Sequence, residues 1–235
     1  MKRRGSEAML ILGIDTSCAS AGVALIRDDA VIGRVAQVDK RTHSVKLLPE
    51  IQALLESNSL TPSMLDLIAV TAGPGSFTGL RIGASTAKTM ARALDIPVIG
   101  VNTLDAICTS QDAASEGDLP VLALIDARNT RAYGCLYVKG APAGIPAVDK
   151  ADVLIDSIPH EFDGSVIRVC GDALNNKGIT GILDAEKRFS FVTDGSVLYP
   201  DPAVVAALGR GLFEAAEDKS VFAPEKLALN YMKEW

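Results

Sequence analysis

From Met9 the chain runs Met-Leu-Ile-Leu-Gly-Ile-Asp, a short apolar run closed by an acid, which predicts a buried strand. Val23 to Ile26 and Val31 to Val38 are two more β-rich runs parted by the polar Arg27-Asp28-Asp29, so the chain opens as a β-meander. Ser44 to Ser57 then changes period. Leu47, Leu48, Ile51, Leu54 and Leu55 recur at helical spacing, and Pro49 must fall near the first turn of that helix or kink it. Leu65 to Thr71 predicts a strand, Gly73 to Gly79 a loop, Leu80 to Leu94 a helix, Ile96 to Val101 a strand and Thr103 to Thr109 a short helix.

Between Gln111 and Pro120 the composition turns polar and small, the best internal boundary. Beyond it the pattern restarts: Pro120 to Asp126 is an apolar strand ending in Ile-Asp, and Ala132 to Val138 returns beside it. A strand at Val166 to Cys170, a Gly171-Asp172 turn into a helix, and a helix from Pro202 to Glu217 follow. The repeated Ile-Asp ending, at Asp15 and Asp126, predicts two related α/β lobes. The lobes span 9–111 and 112–235, with the last helix able to pack back on the first lobe. Residues 1–8 read as an extension ahead of the first strand.

Composition narrows the class. Hydrophobic residues at 48% and charged residues at 22% suit a soluble globular protein, and 5% aromatics leave the core to Leu, Ile, Val and Ala. A net charge of −6 argues against a free-standing nucleic-acid binder, which needs a basic face. Cys18, Cys108, Cys135 and Cys170 lack the spacing of a zinc knuckle or a redox pair, and the last three lie in apolar stretches as reduced, buried thiols. No secretory signal or membrane span is evident, so a cytoplasmic protein is expected.

Asp15 and Asp126 each end a buried strand and open a turn. Such a carboxylate can hold a metal-bound phosphate through water, or it can cap its own turn. The segment Gly73-Pro-Gly-Ser-Phe-Thr-Gly-Leu-Arg81 is the most specific feature. Gly73, Gly75, Ser76 and Gly79 could expose amides to an anion at a helix start, although a tight strand-to-helix connection is the first reading. It matches neither a Walker loop nor the dinucleotide glycine pattern. In the next helix Gly83, Ala87 and Ala91 recur at spacing four, flanked by Leu80 and Leu94. Small residues so placed admit a close neighbour, whether within the chain or in a second subunit. His43 and His160, the only histidines, have no ligand-spaced companions, and Ser76 has no base near it in sequence. Arg128 and Arg131 could meet an anion or simply expose charge on a hairpin.

Leu12-Gly-Ile-Asp-Thr-Ser17, His43-Ser44 with Leu47-Leu48-Pro49, Gly73 to Arg81, and Val98-Ile-Gly-Val101 with Leu104 together resemble the signature segments of the TsaB family. Asp126-Ala-Arg128 with Tyr133 is similar to that family's second-lobe hairpin. The ending Pro224 to Lys233 is similar to its Pro-x-Tyr-Leu-Arg terminus but carries Tyr231-Met232-Lys233. The resemblance implies the fold of actin, Hsp70 and sugar kinases: α/β, with two lobes, each a mixed sheet with flanking helices. It implies a partner subunit in tRNA threonylcarbamoyladenosine formation, working with a TsaD-like catalytic chain and a TsaE-like ATPase. Catalytic relatives carry a His-x-x-x-His helix after Val-Asn. Here Thr103 and Ile107 stand at the two histidine positions, so the chain is expected to be no enzyme itself.

Docking of TsaD is expected on the two helices, through Leu47, Leu48, Ile51, Leu54 and Leu55 and through Leu80, Gly83, Ala87, Ala91 and Leu94. A homodimer through the same faces is expected without that partner, and tRNA is expected to be reached only indirectly. The isolated chain is expected to need no cofactor. Any ATP or ADP with magnesium would sit at the interface of the complex, near Asp15, the glycine loop and Asp126. The alternative is an ATP-dependent phosphotransferase or hydrolase of this fold; a metallopeptidase stands third.

Overall fold

The computed structural model describes residues 8–38, 43–112, 119–191 and 198–232. The opening apolar run forms β1 (Leu10–Asp15), buried at every position. A run apolar on both faces must be covered on both, and this one is central. It pairs antiparallel with β2 (Ser20–Arg27) and parallel with β4 (Leu67–Gly73). β3 (Ala30–Val38) and β5 (Val98–Asn102) complete the order β3-β2-β1-β4-β5.

Alternation along β1 distributes the two covers. Leu10, Leu12 and Ile14 pack with α1 (His43–Ser57) and α2 (Phe77–Leu94), in one cluster with Leu47, Ile51, Leu55, Ala87 and Ala91. On the opposite face, Ile11 packs with Ala203, Ala206 and Phe213 of α6 (Pro202–Ala215). Gly13 lies on that face too, where an added Cβ would run into the Pro202 carbonyl. α6 is therefore a layer of the first lobe, although it lies within the 112–235 half of the sequence. Asp201 caps it by accepting from the Ala203 amide at 2.9 Å, with Pro202 at the first position.

The second sheet comprises β6 (Val121–Asp126), β7 (Arg131–Val138), β8 (Ala141–Pro142), β9 (Ala147–Lys150), β10 (Ile167–Cys170) and β11 (Phe189–Phe191). Its order is β11-β10-β6-β7-β8, with β9 also on β7. α4 (Ala151–Asp156) and α5 (Lys177–Asp184) supply Leu154, Ile155, Ile179 and Leu183 to one face. The other face receives α3 (Thr103–Asp112), whose Leu104, Ile107 and Cys108 pack on Val121, Ala123, Ile125 and Tyr137. The connector thus leaves the first sheet but covers the second. Residues 113–118, within the predicted boundary, lie outside the described residues.

Three local expectations change. α1 begins at His43, so Pro49 stands inside it rather than in its first turn. The proline cannot donate to the Val45 carbonyl four residues back, and Val45 is 73% exposed, where water can serve that carbonyl. After Gly171 the chain makes a 3-10 turn at Asp172–Asn175 before α5, which Asn176 caps by accepting from the Gly178 amide at 3.0 Å. α4, β8, β9 and β11 are too short to show a period in sequence.

Candidate functional site

Asp15 is fully buried at the end of β1. Its Oδ1 accepts from the Ser17 amide at 3.0 Å, the Ser17 hydroxyl at 2.6 Å and the Thr71 hydroxyl at 2.9 Å. Asp126 repeats the theme in the second lobe, half-buried, accepting from the Arg128 amide at 2.8 Å and the Asn176 side-chain amide at 3.2 Å. Its own amide donates to Asp172 at 2.9 Å. Both aspartates accept from the amide of the residue two ahead, so each caps its own turn.

The glycine loop packs against the first of these turns. The Ser76 amide donates to the Ser17 carbonyl at 2.7 Å, and the Thr16 hydroxyl donates to the Gly79 carbonyl at 2.8 Å. Ser76 caps α2, its hydroxyl accepting from the Gly79 amide at 3.2 Å. A Cβ on Gly75 would strike the Ser17 carbonyl, and one on Gly79 the Thr16 carbonyl. Gly73, at φ 116°, faces the Asn230 carbonyl, and the Asn230 amide donates to Ala72 at 2.7 Å. Gly73, Gly75, Ser76 and Gly79 are arranged as a tight strand-to-helix connection, the first of their two readings in sequence. The Ser76 and Gly79 amides are already hydrogen-bonded within the chain, and the space freed by Gly73, Gly75 and Gly79 is filled by its own backbone.

The predicted interface residues also move inward. Leu47, Ile51, Leu54, Leu55, Leu80, Gly83, Ala87 and Ala91 are buried in the chain's own core, and Leu94 packs against it. Gly83 is small because the Thr16 side chain and Val70 lie against it. Only Leu48 of the ten is open, at 55% exposure. The apolar side chains these helices do offer are Val45, Leu48 and, at 39% exposure, Phe77. Val45 and Phe77 fall outside the apolar stripes, so periodicity passed over them.

One surface group joins residues that nothing in the sequence paired. The Arg81 guanidinium lies 3.7 Å from the Phe77 ring centre, and its Nε donates to the Tyr231 hydroxyl at 3.1 Å. The Phe77 and Tyr231 rings are 5.0 Å apart. The tail thereby meets the start of α2, a pairing of residues 150 positions apart.

Thr103 and Ile107, which the family resemblance sets at the two histidine positions, are both fully buried. Asn102 caps α3 by accepting from the Leu104 amide at 2.8 Å, and Ile107 belongs to the core between α3 and the second sheet. In that core the Tyr137 hydroxyl donates to Asp105 at 2.6 Å. Burial, then the Asp105 carboxylate, raises the Tyr137 pKa far above the usual phenol range, and burial raises the Cys135 thiol. All four cysteines are reduced and buried, Cys18 included. His160 is exposed, 3.2 Å from Asp163, and joins no site described above. Arg131 reaches the Val148 carbonyl at 3.5 Å across the hairpin, while Arg128 sits at its tip with φ 71°. No described helix is long and apolar enough to cross a membrane.

Comparison with known proteins places this geometry. The family model described as TsaD, tRNA N6-adenosine threonylcarbamoyltransferase, matches residues 30–208. The tRNA threonylcarbamoyladenosine biosynthesis protein TsaB of Bacillus subtilis is 40% identical over 225 residues, 94% of this chain and 95% of that protein. The Escherichia coli protein of that name is 34% identical over 154 residues, 65% of each chain. The solved structure of YeaZ from Pseudomonas aeruginosa superposes with a TM-score of 0.75 at 26% identity, covering 95% of this chain and 99% of that one. A dehydratase component from Acidaminococcus fermentans, 10% identical with a TM-score of 0.51 over 86% of this chain and 97% of its own, shares the fold alone. The two mixed sheets with flanking helices are the actin, Hsp70 and sugar-kinase architecture. Full-length identity to the Bacillus protein, together with the matching family model, makes this chain a member of the TsaB family.

Proposed function

We propose that the chain is a non-catalytic partner subunit in the formation of threonylcarbamoyladenosine in tRNA. It binds a TsaD-like catalytic chain and works with a TsaE-like ATPase in the cytoplasm. The observation that carries this reading is 40% identity, across 94% of the chain, to a protein named for that biosynthesis. Two features of the site support a binding role over a phosphotransferase. The glycine loop is closed by Thr16, Ser17 and Asn230, and Ile107 is packed in the core between α3 and the second sheet. Any ATP or ADP with magnesium belongs at the interface of the complex. The net charge of −6 fits a chain that meets tRNA through its partner.

The docking surface on this reading is the exposed side of α1 and the start of α2, with Val45, Leu48 and Phe77 as its apolar members. The same surface pairs two copies when the partner is absent. Two measurements test the proposal. A strain depleted of its own TsaB and supplied with this chain should regain threonylcarbamoyladenosine, and failure to do so sinks the assigned role. Val45→Arg with Leu48→Arg should weaken binding of purified TsaD about ten-fold or more, roughly 1.4 kcal/mol, without loss of fold. Unchanged affinity would move the docking surface elsewhere.

A further inference from the structure

We infer that Leu227–Met232 is a releasable strap, an intramolecular peptide seated at the carboxyl ends of β4 and β5 that closes the seam between the lobes. Open α/β sheets hold ligands at that end of their parallel strands. Here the occupant is the chain itself. Two glycines clear its seat: a Cβ on Gly73 would collide with the Asn230 carbonyl, and one on Gly100 would lie 2.9 Å from Leu227 Cδ1. Leu227 packs on the first-lobe core, and the Asn230 amide extends the end of β4 by donating to the Ala72 carbonyl at 2.7 Å. Tyr231 is held by Phe77 and Arg81. Met232 then packs against the core between the lobes, a cluster that holds Cys18 of the first lobe and Tyr133 of the second.

The strap is built to come away. Ala228 and Asn230 are exposed, and Tyr231 and Met232 only half-buried, so its hold rests on a few peripheral contacts while the sheets beneath keep their own cores. Release frees the seat at Gly73 and uncovers the seam at Cys18.

The test uses the full chain carrying Tyr231→Ala and Met232→Ala. Iodoacetamide labelling of each cysteine is followed by mass spectrometry, and trypsin cleavage after the exposed Lys226 is timed. Both Cys18 labelling and Lys226 cleavage should accelerate about ten-fold or more over the parent. A synthetic peptide spanning Pro224–Met232, added in trans, should return Cys18 labelling to the parent rate. Phe77→Ala with Arg81→Ala removes the seat instead of the strap, from exposed positions on α2, and should give the same acceleration; this pair decides the matter if the first variant does not fold. Cys18 labelling unchanged in a folded variant overturns the proposal, as does a peptide without effect. Protection that depends on protein concentration also overturns it, because the tail would then be exchanged between copies.

Discussion

The Tyr137 hydroxyl donates to the Asp105 carboxylate at 2.6 Å and ties α3, the connector between the lobes, to the second sheet. Tyr137→Phe keeps the ring and removes this bond, so unfolding in urea should show a loss of about 2 kcal/mol. The pH dependence has a definite sign. The folded pKa of Tyr137 is raised above the unfolded value of about 10, so its contribution is complete below that pH and is lost as pH climbs past it. The parent should therefore lose more stability than Tyr137→Phe on passing to strongly alkaline buffer. Equal losses would mean that the phenol is not protected.

Lys219 closes the carboxyl end of α6. Its ammonium donates to the carbonyls of Phe213, Glu214 and Ala216 and lies 4.7 Å from the Phe213 ring centre. Lys219→Met keeps the aliphatic stem and deletes the charge at the negative end of the helix, which should cost about 1–2 kcal/mol by chemical denaturation.

Gly79→Ala should be severe and Gly144→Ala mild. An added Cβ at Gly79 meets the Thr16 carbonyl, whereas nothing lies within 4 Å of the same atom at Gly144. The first should lower stability by about 2 kcal/mol or more, and the second should leave it within about 0.5 kcal/mol. A mild Gly79→Ala would reopen the loop as a flexible ligand cradle.

Ala91→Arg and Leu48→Arg separate core from surface on neighbouring helices. Ala91 is 0% exposed and Leu48 55%. Burying a guanidinium without a partner should cost at least about 3 kcal/mol, while the exposed substitution should change thermal unfolding little. Any docking test must therefore use Leu48, since arginine at Ala87 or Ala91 would report on folding instead of binding.

Asp15→Ala leaves three donors, from Ser17 twice and Thr71, facing a buried void. A loss of about 3 kcal/mol is expected in denaturant titrations. A fully stable variant would show that the carboxylate is kept for a ligand rather than for the turn.

Several features were legible from sequence because they depend on near neighbours. β1 is apolar at both parities and had to be buried on both faces, and the paired Ile-Asp endings announced two similar strand-turn units. The direction of the apolar stripes was not decidable in the same way. Leu47, Ile51, Ala87 and Ala91 have the spacing of a docking face and of a core face alike, and only the sheet beneath them assigns them to the core.

The glycine loop shows the limit most sharply. Its residues state that backbone must come close to something, while the identity of that something depends on chain far away: Thr16 and Ser17 on one side, Asn230 on the other. The sequence by itself determined the longer strands, the long helices, the two-lobed plan and the family, because periodicity and local motif are short-range properties. Tertiary structure decided which apolar side chains stay exposed, that α6 belongs with the first sheet, and that the tail packs against Gly73. Those outcomes depend on contacts between distant segments, whose energies no local pattern encodes.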